Sequence, residues 1–405
     1  MLLPLANILH HKLRSVLCAF GIGIAVCMLL ALSGLARGTL YEVAERWEQV
    51  DADWIAYPQF LGEDVTGMAG PVIPDAIAGA LRAADGGRLV QRVTPVFMRR
   101  MDFAGQPQTV VGVDTEALPT LLGGREIARG RPFDPDGRCA AWLEEQLLAP
   151  ATDAAEPLVI SERDLASRGG LEIVIDSRLA AAGGYELGQT VESADHTWTI
   201  VGIVPAGGMA RVFLPRRTAQ FLLGDGTITK STALFVKLRP EASARQAVGR
   251  LRAAAGPGVG FLEVAQYRRE LERRFGILFQ YVDAVNAIAL VIAFLFVMLT
   301  LYTMVLQRTR EIAILKSSGA SNGFILRQII AESLLLTGVG AAVGIALGYL
   351  AAWGIQTAKP LYTVTITPRW IGIAVAAAAG GAVAAALYPA WRACRVDLLE
   401  ALTLE

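Results

Sequence analysis

The sequence offers few side chains for covalent or metal chemistry. Its histidines are His10, His11 and His196, which are too few and too scattered for a histidine-based metal site. The stretch from Gly224 to Ser231 contains glycines and a lysine but lacks the G-x-x-x-x-G-K-[ST] spacing that cradles nucleotide phosphates. We therefore expect no catalytic residue, no metal site and no cofactor bound by this chain.

The loop 307–327 instead gathers charged and apolar side chains in a pattern that suits contact with a partner. Ile312 and Leu315 can share one face of a short helix, with basic and acidic side chains around it. Gly319 is placed to end that helix, and Ser321 is placed to cap the start of the next. From periodicity alone, such a helix fits docking in a partner's groove and anchoring in lipid headgroups equally well.

Four apolar runs are long enough to cross a hydrocarbon core of about 30 Å as helices. They cover residues 15–36, 284–306, 333–358 and 370–390, and none contains a charged residue. A cleaved signal peptide is the alternative for the first run, but its apolar stretch exceeds the usual length. Basic residues flank the first run, occupy the 307–327 loop and follow the fourth run, which predicts cytoplasmic termini and a cytoplasmic loop.

This topology predicts an α-helical membrane protein with a large extracytoplasmic domain between its first two spans. Strand-like and alanine-rich helical stretches predict a mixed α/β fold for that domain, and residues 132–157 are expected to form an exposed insertion. Leu40–Val50 and Val264–Phe279 are amphipathic, so we expect helices that form a stalk; helices that only cap the domain are the alternative. The expected segments are 1–36 (N-terminal segment and first span), 37–282 (extracytoplasmic domain with its stalk helices), 283–307 (second span), 308–327 (cytoplasmic loop), 328–358 (third span), 359–369 (short outer loop), 370–390 (fourth span) and 391–405 (cytoplasmic tail).

The third span contains two further features. Gly340, Gly344 and Gly348 form a small-xxx-small ridge, which predicts close helix packing either within the subunit or across a dimer. Glu332 lies at the cytoplasmic end of this span, and we expect it to pair with a nearby arginine such as Arg327 or Arg308.

Three stretches resemble the MacB/FtsX-type ABC permeases. Residues 308–321 resemble the family's coupling region, residues 7–22 its opening, and residues 389–402 its closing P-A-x-R-A-x-R-x-D-P-x-E-A-L pattern, with Leu398 where proline is usual. Residues 158–215 resemble the family's periplasmic core domain. The resemblance assigns ATPase coupling to Arg308, Arg310, Glu311, Ile312, Leu315, Lys316, Gly319, Ala320 and Ser321.

The resemblance implies a permease subunit of the cytoplasmic (inner) membrane that does no covalent chemistry itself. ATP and Mg²⁺ would bind to a separate ABC ATPase subunit, and a second permease subunit would complete a homodimer or heterodimer. Membrane lipids and a periplasmic adaptor are further expected partners, and the zero net charge argues against nucleic acid. ATP-driven motion of the coupling helix would be transmitted mechanically to the outer domain, which would export, extract or hand over a substrate that the sequence does not identify.

Two other functions fit the same layout. The chain could be a non-transporting ABC-type transducer that activates an extracytoplasmic partner such as a cell-wall hydrolase, although a large outer domain argues against it. It could also be a membrane-tethered binding or sensing domain, but a tether does not need the helix in the 308–327 loop.

Overall fold

The computed structural model describes residues 12–59, 72–103, 105–148, 160–242, 244–307 and 309–394. The chain divides into two compact units, which we call the membrane unit (Met1–Leu40 with Arg274–Glu405) and the α/β unit (Tyr41–Arg273). The helices are α1 (Lys12–Glu48), α2 (Ala76–Ala83), α3 (Leu118–Leu121), α4 (Arg138–Leu148), α5 (Glu162–Ser167), α6 (Ser177–Gly183), α7 (Arg216–Leu223), α8 (Ala244–Ala255), α9 (Tyr267–Arg274), α10 (Gly276–Gln307), α11 (Thr309–Ser317), α12 (Asn322–Ala358) and α13 (Pro368–Cys394).

The membrane unit is built from long apolar helices. Among the described residues, α1, α10, α12 and α13 are the four helices that are long and apolar enough to cross a membrane. They contain the four predicted spans, and each extends beyond the predicted apolar run. The predicted helix at Leu40–Val50 is the end of α1 rather than a separate element.

The glycine ridge of α12 packs against α1 within the same chain. A methyl group on Gly344 would lie 2.6 Å from the carbonyl oxygen of Gly23, and one on Gly340 would lie 2.7 Å from that of Ala19. These backbones therefore approach each other more closely than any larger residue permits. Two interhelical hydrogen bonds add polar contacts: Asn286 Nδ2 donates to Ser33 Oγ at 2.9 Å, and Ser333 Oγ donates to the Ala382 carbonyl at 3.0 Å.

The α/β unit is organised around a mixed sheet. Its strands run in the order β12-β1-β11-β3-β4-β9-β6-β8-β5, with β7 paired to β8; β4–β9 and β6–β8 are parallel and the other pairs are antiparallel. This arrangement confirms the predicted mixed α/β fold. The strands are β1 (Trp54–Pro58), β2 (Ile73–Pro74), β3 (Val90–Phe103), β4 (Gln106–Val113), β5 (Arg129–Gly130), β6 (Glu172–Asp176), β7 (Thr190–Ser193), β8 (His196–Val204), β9 (Val212–Pro215), β10 (Lys230–Ser231), β11 (Ala233–Leu238) and β12 (Val259–Glu263).

The exposed insertion predicted for residues 132–157 is wrong over its described part. Phe133 is fully buried, and α4 places Cys139 and Leu143 in the interior at helical spacing. The Cys139 sulfur lies 3.7 Å from the Thr218 hydroxyl of α7. The buried positions of α4 are only Cys139 and Leu143, and a repeat over one turn is too short to indicate a packed helix from sequence. Residues 149–157 lie outside the described residues.

The single helix predicted over Val264–Phe279 is divided in the structure. A 3₁₀ turn covers Val264–Gln266, α9 follows, and a turn at Phe275 separates α9 from α10. Glycine in a helix interior costs about 1 kcal/mol relative to alanine. A continuous helix through Gly276 would therefore gain little stability, and the chain can turn beside it. The prediction of one uninterrupted stiff element is therefore wrong at this point.

Candidate functional site

The loop between α10 and α12 forms the predicted short helix, α11, and closes it with a Schellman motif. Gly319 adopts φ 93°, its N–H donates to the Lys316 carbonyl, and the Ala320 N–H donates to the Leu315 carbonyl, both at 3.0 Å. Ser321 Oγ then accepts a 3.3 Å hydrogen bond from the Phe324 N–H and caps α12. The cap positions predicted for Gly319 and Ser321 are confirmed.

The apolar face of α11 is turned differently from the prediction. Ile312 and Ala313 are buried, and Ile312 belongs to the apolar core of the membrane unit together with Val305 and Ile325. Ile314 is 51% exposed, whereas Leu315 is half-buried. The Ile312 side chain packs α11 onto the span ends, and Ile314 presents the exposed apolar surface of α11.

One hydrogen bond fixes α11 to the end of α13, and a second contact joins that end of α13 to the start of α12. Lys316 Nζ donates to the Cys394 carbonyl at 2.9 Å, and Cys394 Sγ lies 3.5 Å from the Asn322 carbonyl. Because α11 is held at α10, α12 and α13, its displacement would act on several helices at once. Arg308 lies outside the described residues, as do the side chains of Arg310 and Glu311.

In the α/β unit, the end of α1 and the start of α9 are joined on the sheet. The rings of Trp47 and Tyr267 stack with centroids 4.4 Å apart, and Trp47 also contacts the Phe235 ring of β11 at 5.8 Å. Trp47 and Tyr267 are almost fully buried. Arg268 adds an ion pair with Glu48 at 3.0 Å. Parts of both predicted stalk stretches therefore pack on the sheet through buried aromatic rings.

A buried ionic network, here the Glu42 network, joins α1 to the far half of the sheet. Glu42 Oε1 lies 2.6 Å from Arg46, 3.0 Å from Arg178 and 3.1 Å from Arg211. Asp176, which is fully buried at the end of β6, lies 3.5 Å from Arg46 and 4.0 Å from Arg211. Three guanidinium groups thus share two carboxylates.

Burial opposes charge throughout this network. It raises the pKa of Asp176, although the Leu179 N–H and the neighbouring Arg46 and Arg211 offset part of that rise. Burial, reinforced by the positive charge of Arg46, also lowers the pKa of Arg211. Opposite charges offset the loss of hydration in this network, so removal of one carboxylate would weaken the stabilisation of the remaining guanidinium groups.

A second arginine cluster, here the Arg37 cage, joins three helices of the membrane unit. The Arg37 guanidinium lies 5.0 Å from the Phe279 ring and 4.4 Å from the Trp370 ring, and it pairs with Asp283 at 3.0 Å. Cation–π contacts and the ion pair together hold α1, α10 and α13 at one end of the unit.

Sequence reasoning missed the Glu42 network and the Arg37 cage. Their members are as distant in the chain as Arg37 and Trp370, so no local spacing reveals them. The signal that was available is an arginine directly after an apolar run, at position 37, with an acid directly before the next run, at position 283. Glu332 is buried in α12, as expected for a residue at membrane depth, and its predicted arginine partner stays a prediction.

The described residues include no group of three or more His, Cys, Asp or Glu side chains that could hold a metal ion. The assembled features are instead contacts between helices and a partly exposed helix between two spans. They define the class: a membrane protein with four candidate membrane helices among its described residues and a large mixed α/β unit.

Comparison with known families identifies the family within this class. The model of the MacB-like periplasmic core domain matches residues 15–254, and the model of the FtsX-like permease C-terminal region matches residues 284–398. The first match covers more than half of the chain. The chain therefore belongs to the MacB/FtsX-type family of ABC permeases, as the sequence motifs suggested. It is a permease-type subunit of the inner membrane.

Relatives with curated names agree with this assignment. The macrolide export ATP-binding/permease protein MacB of Chromobacterium violaceum is 23% identical over 98% of this chain, and this chain covers 59% of that protein. The pyoverdine export ATP-binding/permease protein PvdT of Pseudomonas entomophila is 26% identical over 62% of this chain and 40% of the relative. The chain thus spans about three fifths of its MacB relatives.

The crystal structure of the periplasmic region of MacB from Actinobacillus actinomycetemcomitans matches 57% of this chain and 97% of that one, with 13% identity and a TM-score of 0.35.

Proposed function

We propose that this chain is the permease subunit of an ABC transporter and couples ATP hydrolysis by a separate ATPase subunit to movement of its α/β unit. That movement would export, extract or hand over a substrate at the outer face of the cytoplasmic membrane. In this proposal α11 and both termini are cytoplasmic, the α/β unit is extracytoplasmic, and a second permease subunit completes the assembly. ATP and Mg²⁺ bind to the ATPase.

The observation that carries the proposal is the two-sided character of α11. One face is sealed into the core of the membrane unit through Ile312 and Ala313, and the other exposes Ile314. The same loop exposes Phe324, which is 49% accessible, at the start of α12. A capped helix with an exposed apolar side chain, fixed to three span ends, is suited to receive a partner and to pass on its displacement.

Contacts within the α/β unit support the same proposal. The Trp47–Tyr267 stack and the Glu42 network hold the last turns of α1 firmly within that unit. A displacement of α1 along its axis would therefore act on the sheet through buried contacts. Transmission by α10 and α9 would have to pass the turn at Phe275.

Replacement of Ile314 tests the docking role directly. We expect Ile314→Ala to reduce the amount of ABC ATPase that co-purifies with the tagged chain by about tenfold, because truncation of a central apolar anchor typically costs more than 1 kcal/mol of binding. The matched control is Ile288→Ala on α10, whose side chain is 61% exposed and lies in a predicted span.

The control should leave ATPase recovery unchanged, and Ile312→Ala should lower thermal stability because it opens a cavity in the core. Equal recovery of the ATPase with Ile314→Ala and with the unmodified chain would reject α11 as the docking element. Absence of any co-purifying ABC ATPase in gently solubilised membranes would reject the proposed function itself.

A further inference from the structure

A third aromatic cluster, here the Arg392 cluster, lies at the end of α13. Arg392 donates a hydrogen bond to the Tyr302 hydroxyl, and its guanidinium lies 5.0 Å above the Tyr302 ring. Tyr388 stacks on Tyr302 with centroids 6.0 Å apart, and Trp391 follows at 6.4 Å from Tyr388. The cluster therefore joins α10 and α13, as the Arg37 cage does at the other end of the membrane unit.

The two clusters differ in one component. Arg37 is held by two aromatic rings and neutralised by Asp283 at 3.0 Å. Arg392 has the aromatic ring and a hydroxyl, but no carboxylate of the described residues lies within ion-pair distance of its guanidinium. Its side chain is exposed, and guanidinium groups form their strongest contacts with carboxylate or phosphate oxygens. The Arg392 cluster thus presents an exposed guanidinium, fixed on an aromatic ring, that is suited to binding an anion.

The position of the cluster along α13 indicates where that anion comes from. Trp370 of the Arg37 cage and Arg392 are separated by about 33 Å of helix at a rise of 1.5 Å per residue. This distance matches a hydrocarbon core of about 30 Å, so the two cages lie at the two headgroup levels of a bilayer that α13 crosses. Tyr388 and Trp391 are about half exposed, and such amphipathic rings favour the membrane interface.

We propose that the Arg392 cluster binds the headgroup phosphate of an anionic phospholipid in the leaflet that surrounds the end of α13. Arg392 supplies the cation, the Tyr302 hydroxyl fixes the guanidinium, and Tyr388 and Trp391 contact the glycerol region. This inference is independent of the proposed function, because it concerns a lipid site and would hold whether or not an ATPase acts on α11.

A lipid fits this cluster better than a protein partner. The rings around Arg392 are half exposed and continue the apolar surface of α13, where Leu387 is 51% exposed. A protein carboxylate would have to be desolvated beside this apolar surface, whereas a headgroup phosphate is already placed there by its acyl chains.

The test is native mass spectrometry of the full-length chain in detergent, titrated with phosphatidylglycerol or phosphatidylcholine. We expect the unmodified chain to retain phosphatidylglycerol preferentially and Arg392→Gln to lose about tenfold in affinity for it, as expected for one charge-assisted contact. Arg392→Lys should retain part of the preference. The matched control is Arg37→Gln, which removes the neutralised arginine and should leave the preference unchanged.

Three results would overturn the proposal. The first is equal retention of both lipids by the unmodified chain. The second is unchanged affinity for phosphatidylglycerol in Arg392→Gln. The third is strong, Arg392-dependent binding only after Asp397→Asn and Glu400→Gln are combined, because the chain's own tail would then be the natural anion.

Discussion

At the residue scale, Glu42 shows how a single carboxylate can hold a helix to a domain. One of its oxygens accepts from three arginines on three different elements, α1, α6 and the stretch before β9. All three arginines are at least two-thirds buried. In such a site the opposite charges compensate the loss of hydration, so the network stabilises the fold only while it is complete.

We predict that Glu42→Gln lowers the free energy of unfolding by about 3 kcal/mol, because it removes the carboxylate that three largely buried guanidinium groups share. The matched control is Asp85→Asn, which removes a carboxylate from an exposed pair with Arg250 and should cost less than about 1 kcal/mol. Chemical denaturation of the purified protein measures both changes.

A partial rescue distinguishes electrostatics from lost packing. Arg178→Met in the Glu42→Gln background should recover part of the lost stability, because it removes one uncompensated cation from the network. If Glu42→Gln and Asp85→Asn had the same small effect, the Glu42 network would not be an important contact between α1 and the sheet.

The orientation of single side chains was the least predictable part of the candidate site. Local periodicity predicted the α11 helix, and the residue types of Gly319 and Ser321 predicted its caps, because both depend on neighbours within four residues. Whether Ile312 or Ile314 faces the protein interior depends on α10, α12 and α13, which are distant in sequence. The same limit applied to Cys139 and Leu143, whose burial depends on α7.

At the element scale, close backbone approach between α1 and α12 explains the glycine ridge. The three ridge positions are 340, 344 and 348, and a Cβ at the first two would meet backbone oxygens of α1 at less than 3 Å. Gly338 belongs to the same helix, but a Cβ there would meet no atom within 4 Å. Sequence spacing predicted the ridge but left open which surface covers it.

We predict that Gly344→Ala weakens the membrane unit by about 1–3 kcal/mol, because the added methyl group must displace the α1 backbone. Gly338→Ala is the matched control on α12 and should be neutral or slightly stabilising, since alanine favours a helix more than glycine does. The fraction of folded protein recovered after heating in detergent measures both. Equal recovery of the two variants would contradict the close packing of α1 on α12.

Apolar run length predicted the number of membrane helices correctly, and alternation with turn residues predicted the mixed sheet. The turn at Phe275 was not predicted, since a proline-free amphipathic stretch gives no local reason for a helix to end. Gly276 was the available signal, and it is weak, because isolated glycines are tolerated inside helices.

At the scale of the whole molecule, α1 is the helix that belongs to both units. In the proposed mechanism, the exposed Ile314 would receive the ATPase and the buried face of α11 would act on the span ends. The helix α1 continues from the membrane unit into the α/β unit as one helix, Lys12–Glu48. Under this proposal α1, rather than α10 alone, would be the transmitting element. The family assignment supports an ATP-driven permease; the direction of movement and the substrate belong to the proposal.

The most direct measurement is the distance between spin labels at Asp195 in the α/β unit and at Tyr362 in the membrane unit, taken in the reconstituted complex after the native cysteines are replaced. We predict that trapping the ATPase with ADP and vanadate shifts this distance distribution, and that Ile314→Ala abolishes the shift. An unchanged distribution in a complex that hydrolyses ATP would contradict mechanical coupling between α11 and the α/β unit.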